Sequence, residues 1–196
     1  MTVESAAAAQ AMTRLFISAV CQSGAPITQN AASADIWGFE LEVTALPVES
    51  LELGASAGYT KAEYQSVAPL NPAVAADQQV QITSALPNTP EWSLNGYAAH
   101  TLPLGSGELR SRVDWSYTSR VENDAINSIF LTQPGYHLFN ASIGYASDDG
   151  WSVTAWGRNL TNRRYIVSGD SNFGIGFHEA NFNEPREWGV TLRYDY

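Results

Sequence analysis

The C-terminal residues Glu187 to Tyr196 alternate without interruption. Trp188, Val190, Leu192, Tyr194 and Tyr196 fall on one side, and Gly189, Thr191, Arg193 and Asp195 on the other. A period of two sends successive side chains to opposite faces of a strand, so the segment is predicted to be a strand with one apolar face. The same period recurs upstream. It predicts strands at about 13–21, 32–46, 51–64, 91–102, 108–119, 136–146, 151–160 and 187–196, eight in all. In the second, Trp37, Phe39, Leu41, Val43 and Ala45 oppose Gly38, Glu40, Glu42 and Thr44. Helical periodicity is scarce, and residues 1–11 are expected to be irregular.

Turn chemistry separates the strands unevenly. Pro47 to Ser50, Pro103 to Gly107 and Ser147 to Gly150 are short. The connections at about 22–31, 65–90, 120–135 and 161–186 are long and rich in Asn, Pro, Gly and Asp. Compact soluble domains rarely carry several unstructured loops longer than about 15 residues. Transmembrane β-barrels place short turns on one side of the membrane and long loops on the other. Counted back from the last strand, every short turn lands on one side and every long loop on the opposite side.

Composition agrees with that class. Charged residues make up 15% of the 196, against roughly 25% in soluble domains. No apolar run reaches the roughly 18 residues of a membrane-crossing helix, which leaves strands of about ten residues as the spanning element. Aromatics sit near strand ends: Trp37, Tyr59, Trp92, Tyr117, Tyr136, Trp151, Trp188 and Tyr196. Rings with one apolar and one wet edge suit the membrane interface. The net charge of −10 argues against a nucleic-acid partner. The single cysteine, Cys21, has no internal partner and is read as a small structural residue. The segment before it lacks the basic start and long apolar stretch of an export signal. An outer-membrane protein of this sequence is therefore expected to be a fragment.

Four segments together resemble the TonB-dependent outer-membrane receptors. They are Ile36-Trp37-Gly38-Phe39-Glu40-Leu41-Glu42-Val43, Leu86-Pro87-Asn88-Thr89-Pro90-Glu91-Trp92, Trp156-Gly157-Arg158-Asn159-Leu160-Thr161-Asn162-Arg163-Arg164-Tyr165 and Pro185-Arg186-Glu187-Trp188-Gly189-Val190-Thr191-Leu192. The third is the most specific, and the resemblance runs from about residue 15 onward. Glu187, Gly189, Leu192, Tyr194 and Tyr196 also resemble the terminal assembly signal of outer-membrane barrels.

The resemblance implies residues 12–196 as the C-terminal portion of a receptor β-barrel in the bacterial cell outer membrane. The fold expected is an all-β antiparallel meander of about eight strands, an open curved segment of a large barrel. A closed small eight-stranded barrel is the alternative. Implied partners are outer-membrane lipid, the barrel-assembly machinery and the parent receptor's plug and N-terminal barrel strands. TonB would be reached only through that plug, and no TonB box is expected in this chain. The function implied is energised uptake of a scarce ligand, such as siderophore-bound iron, cobalamin or a carbohydrate. The alternatives are a small structural or adhesive barrel, an outer-membrane enzyme, and a soluble β-sandwich binding module.

No catalytic constellation stands out, and neither an enzyme nor a cofactor is expected. His100, His137 and His178 lie far apart, which argues against a metal site. Ligand contacts are expected from the long loops: Arg120, Glu122, Asp124, Arg163, Arg164, Asp170, Phe173, Phe177 and His178. Arg163 and Arg164 suit an anionic chelate through charge-assisted hydrogen bonds.

Overall fold

Alternating residues become strands because pairing satisfies every backbone donor and acceptor while keeping the apolar side chains on one face. The computed structural model describes residues 2–6, 11–20, 26–172 and 176–195. Its strands are β1 (Thr2–Ala6), β2 (Ala11–Val20), β3 (Pro26–Val48), β4 (Leu51–Val67), β5 (Trp92–Pro103), β6 (Gly107–Thr118), β7 (Val121–Glu122), β8 (Thr132–Gln133), β9 (Tyr136–Ser147), β10 (Trp151–Arg158), β11 (Ile166–Asn172), β12 (Phe177–Phe182) and β13 (Glu187–Tyr194). Nine of them form one antiparallel sheet, in the order β1-β3-β4-β5-β6-β9-β10-β13, with β2 also paired to β3. β1 and β2 lie one beyond the other along the same edge of β3, so the sheet is eight strands wide.

All eight predicted strands are present. Two expectations change. Thr2–Ala6, expected to be irregular, pairs with Glu40 to Thr44, because β3 is 23 residues long and offers that stretch of backbone edge. The long connection expected at 22–31 is shorter, because β3 already starts at Pro26, a first-residue position that tolerates proline. The sheet is open, as expected, rather than the alternative closed small barrel: among the described residues β13 pairs with neither β1 nor β2. The predicted Cys21 position lies outside the described residues.

Register lines up apolar positions across neighbouring strands. Phe39 pairs with Tyr59, and Tyr59 with Trp92. Ala98 pairs with Val113, Val113 with Ala141, Ala155 with Val190 and Val153 with Leu192. These side chains are not covered by protein: Val113, Ile143, Trp188, Val190 and Leu192 are all exposed, Trp188 by 79% and Leu192 by 77%. An apolar face this continuous and this open needs an apolar surrounding. A soluble sandwich would bury it against a second sheet instead.

Rings frame that face at both ends. Toward the long loops, Trp37, Phe39, Tyr59 and Trp92 form a cluster with centroid separations from 4.8 to 6.0 Å, and Tyr117 meets His137 at 4.7 Å. Toward the short turns, Tyr145 meets Trp151 at 5.4 Å. The eight residue steps from His137 to Tyr145 span about 27 Å of strand. At a tilt of about 45° that is roughly 20 Å across the sheet, close to the apolar band of a membrane barrel.

The opposite face is polar and concave. Cavities of about 600 and 360 Å³ lie along it, lined by Glu42, Ser56, Asn95, Tyr97, Arg112, Asp114 and Arg193 among others. Tyr97 lies across Gly54 on the neighbouring strand, where a Cβ would come within 2.0 Å of the ring. Its Oη donates to Glu52 at 2.5 Å, and the Arg112 guanidinium stacks 4.0 Å above the ring. A small buried cluster, Ala32, Ala34, Tyr64 and Leu86, forms where residues 68–91 fold back on the ends of β3 and β4.

Candidate functional site

The long loops converge at one end of the polar face. Between β6 and β9, β7 and β8 form a short ribbon. Arg120 Nη2 pairs with Glu122 Oε1 at 2.6 Å, and Thr132 Oγ1 donates to Glu122 Oε2 at 2.6 Å, so the buried carboxylate is satisfied on both oxygens. Asp124 Oδ1 accepts from Ser128 N at 2.8 Å and turns the ribbon tip. Two of the expected ligand contacts, Arg120 and Glu122, therefore hold each other and the ribbon. Asp124 shapes its bend.

Between β10 and β13, β11 and β12 form a hairpin the sequence pattern did not reveal. It meets the ribbon at several points. Leu131, only 1% exposed, packs where a Cβ on Gly169 would stand. Gln133 Oε1 accepts from Ile166 N at 2.8 Å. Phe130 lies 4.3 Å from the His178 ring, and His178 Nδ1 is 3.1 Å from Ser171 Oγ. Phe177 is exposed beside His178, and Asp170 faces Glu179 across the hairpin. Phe173 lies outside the described residues.

The hairpin begins from an asparagine-built turn. Asn159, at φ 47°, accepts from Arg163 N at 2.8 Å and donates to Arg163 O at 2.9 Å. Asn162, at φ 52°, accepts from Arg186 N at 3.0 Å. The segment singled out by resemblance is thus a clasp closing both ends of this loop. The Arg163 backbone belongs to the clasp, and the Arg164 guanidinium sits 3.8 Å over the Phe182 ring. Tyr136 and Tyr165 stack at 4.2 Å. Burial, and then the neighbouring Tyr136, push the Tyr165 phenol above its ordinary pKa.

Two cavities, of about 430 and 290 Å³, flank Tyr165 and Val167. Their lining includes Asn88, Asn123, Gln133, Arg158 and Phe182. Sequence reasoning missed Phe130, Gln133, Arg158 and Tyr165. Arg158 and Tyr165 carried a signal, as members of the segment from Trp156 to Tyr165; Phe130 and Gln133 carried none. The arrangement offers aromatic surface, amides and guanidinium groups. Among the described residues no cluster of His, Cys, Asp and Glu is arranged to hold a metal.

At the far edge, β13 pairs with β10 from Glu187 opposite Arg158 to Tyr194 opposite Trp151. Glu187, Gly189 and Arg193 lie on the polar face, and Trp188, Leu192 and Tyr194 on the apolar one. The last residue of the expected assembly signal, Tyr196, lies outside the described residues.

Comparison with known proteins places this geometry. Residues 11–160 match the family described as "TonB dependent receptor-like, beta-barrel". The ferric-pyoverdine M114 receptor PbuA of Pseudomonas sp. (strain M114) is 30% identical over 174 residues, which is 85% of this chain and 19% of that receptor. The ferric yersiniabactin uptake receptor FyuA from Yersinia pestis shares the fold with a TM-score of 0.72 at 20% identity, over 87% of this chain and 25% of that one. The siderophore receptor PiuA from Acinetobacter baumannii does so with a TM-score of 0.69 at 19% identity, over 86% of this chain and 23% of that one. The chain spans about a fifth to a quarter of the length of these relatives. Its open sheet, eight strands wide with one apolar face, is a part of the barrel wall found in those proteins, and the chain belongs to the TonB-dependent receptor β-barrel family.

Proposed function

We propose that residues 12–196 form the C-terminal portion of the barrel of an outer-membrane receptor for energised uptake of a ferric siderophore. The observation that carries this is the division of the sheet: a continuous exposed apolar face outside, and a polar concave face within, crowned by long loops. That division supports lipid contact outside and a polar lumen within. The siderophore reading draws on the ferric-pyoverdine receptor at 30% identity. The free edges of β13 and of β1 and β2 are surfaces for the other strands of a larger barrel, since unpaired backbone is not tolerated in lipid. A plug domain would fill the lumen and link it to TonB. The β13 edge would meet the assembly machinery by strand addition.

The ligand-contacting surface proposed is Phe130, Phe177 and His178, together with Arg163 and Arg164. Deleting the gene in the producing bacterium and measuring uptake of a panel of iron-labelled siderophores under iron limitation tests the function. Loss of uptake of one chelate, restored by the intact gene, is expected. Unchanged uptake of every chelate refutes it. Alanine at both Arg163 and Arg164 in the whole receptor should weaken binding of that chelate without lowering the amount of receptor in the membrane.

A further inference from the structure

The polar face of β10 carries one large ring, Trp156, and its register partner on β13 is Gly189. A Cβ on Gly189 would stand 2.7 Å from Trp156 Cζ2 and 3.0 Å from Cε2, closer than packed carbons allow. Glycine therefore lets the ring lie across the neighbouring strand. The ring is held by a hydrogen bond as well: Trp156 Nε1 donates to Thr191 Oγ1 at 3.2 Å, and Thr191 is the next residue of β13 on that face. Arg158 lies over the same ring at 5.5 Å from its centroid.

The chain is held just outside β13, by Arg186 N on Asn162 Oδ1 and Asp195 N on Gly150 O, but the apolar side chains within the strand define its register poorly. A slip by one residue would turn its apolar side chains inward, which the lipid face forbids. A slip by two residues keeps the faces, and there the apolar side offers little resistance. Trp188, Val190, Leu192 and Tyr194 are all largely exposed, so they meet surroundings that look the same after the slip. On the polar face the same slip puts Glu187 or Thr191 under Trp156 in place of Gly189, where neither leaves room for the ring.

We propose that Trp156 is the positioning residue that sets the register of the closing strand, with Gly189 as its socket and Thr191 as its hydrogen-bonding mark. The glycine of the assembly-signal pattern then has a packing role inside this sheet, separate from any recognition of the strand during assembly. The proposal rests on the outer-membrane barrel reading.

The test uses the whole receptor in the outer membrane, read by the heat-modifiable band of a folded barrel. Gly189→Ala should lower the folded fraction on the order of tenfold, the scale of an overpacked contact. Adding Trp156→Ala to Gly189→Ala should restore it, because the ring that clashes is gone. A double variant as defective as Gly189→Ala alone overturns the proposal, and so does a harmless Gly189→Ala. Register is read separately on the folded fraction, in a Cys21→Ser background. Ala155→Cys is combined with Val190→Cys for the native register, or with Trp188→Cys or Leu192→Cys for slipped ones. Trp156→Ala should shift crosslinking from Val190→Cys toward a slipped partner; crosslinking that stays native overturns the proposal. Absence of a heat-modifiable band for the wild-type receptor would instead remove the barrel reading itself, an outcome distinct from failed rescue.

Discussion

Asn127 joins two loops 42 residues apart, and replacing it tests whether they open together. Its Oδ1 accepts from Ala85 N at 2.6 Å and its Nδ2 donates to Ala85 O at 2.9 Å. Asn127 itself sits at φ 56°, in the left-handed region. Asn127→Ala removes both bonds, worth about 1–3 kcal/mol together at the usual net value of each. Alanine also lacks the short polar side chain that lets asparagine occupy the left-handed region, at a cost of about 1 kcal/mol. The sum, about 2–4 kcal/mol, is a local opening energy. At 1.4 kcal/mol per decade it accelerates exchange of the Ala85 and Asn88 amides by tens to hundreds of times. Asn127→Gly loses the same bonds without the backbone strain, so its effect should be smaller by about a factor of five. Hydrogen exchange by mass spectrometry on the receptor in lipid nanodiscs reads both. If residues 124–131 loosen while Ala85 and Asn88 keep their protection, the clasp does not couple the loops, and the reasoning fails.

Leu131→Ala should free the ribbon from the hairpin at a local cost of about 2–5 kcal/mol, because a fully buried leucine leaves a cavity against Gly169; faster exchange in both 121–133 and 166–171 checks it. Val113→Arg puts a charge midway along the apolar face and should cost insertion about 2–4 kcal/mol, whereas Ser116→Arg on the polar face should fold normally; folded yields of the two variants in lipid vesicles decide. The raised pKa of Tyr165 means the folded mouth favours the neutral phenol. Its contribution is intact below the ordinary value of about 10 and is lost as pH rises through the higher folded value. Loosening of the Tyr136–Tyr165 stack in that alkaline range, followed by near-ultraviolet circular dichroism, should disappear in Tyr165→Phe, and persistence there refutes the assignment.

The wall of the molecule was legible because its rule is local. A strand with lipid on one side and a polar interior on the other must alternate, whatever its neighbours do. The sixth and eighth strands start at Tyr136 and Glu187, as their alternation indicated. The hairpin of β11 and β12 obeys a different rule. Ser168, Gly169, Asp170 and Ser171 show no apolar side, and they are extended because His178 to Asn181 pair with them and Leu131 packs on Gly169. Thr2–Ala6 is a strand for the same reason, since the edge of β3 supplies its partner. Partners at a distance leave no period in the sequence. For the same reason the surroundings of Arg120 are not legible in the sequence: its charge is paired by Glu122, which Thr132 fixes from the opposite strand of the ribbon.

One signal for loop organisation was nonetheless present in the residue types. Among the described residues, the non-glycine positions with positive φ are Asn88, Asn127, Asn159 and Asn162, all in the long loops. The same backbone region is taken by Gly105 and Gly150 at the short turns and by Gly176 where the β11–β12 hairpin reverses. Either residue type allows the turn, so conformation alone does not explain the division. Asparagine adds an amide that both donates and accepts beside the turned backbone. Three of the four use it: Asn127 on Ala85, Asn159 on Arg163, and Asn162 on the backbone N–H of Arg186. Asn88 instead donates its own backbone N–H to Glu122 O at 2.8 Å, again across two loops. Short turns need only to reverse the chain, while long loops need to reverse it and grip another segment. The choice of asparagine over glycine, more than loop length, marks where the loops of this chain are held together.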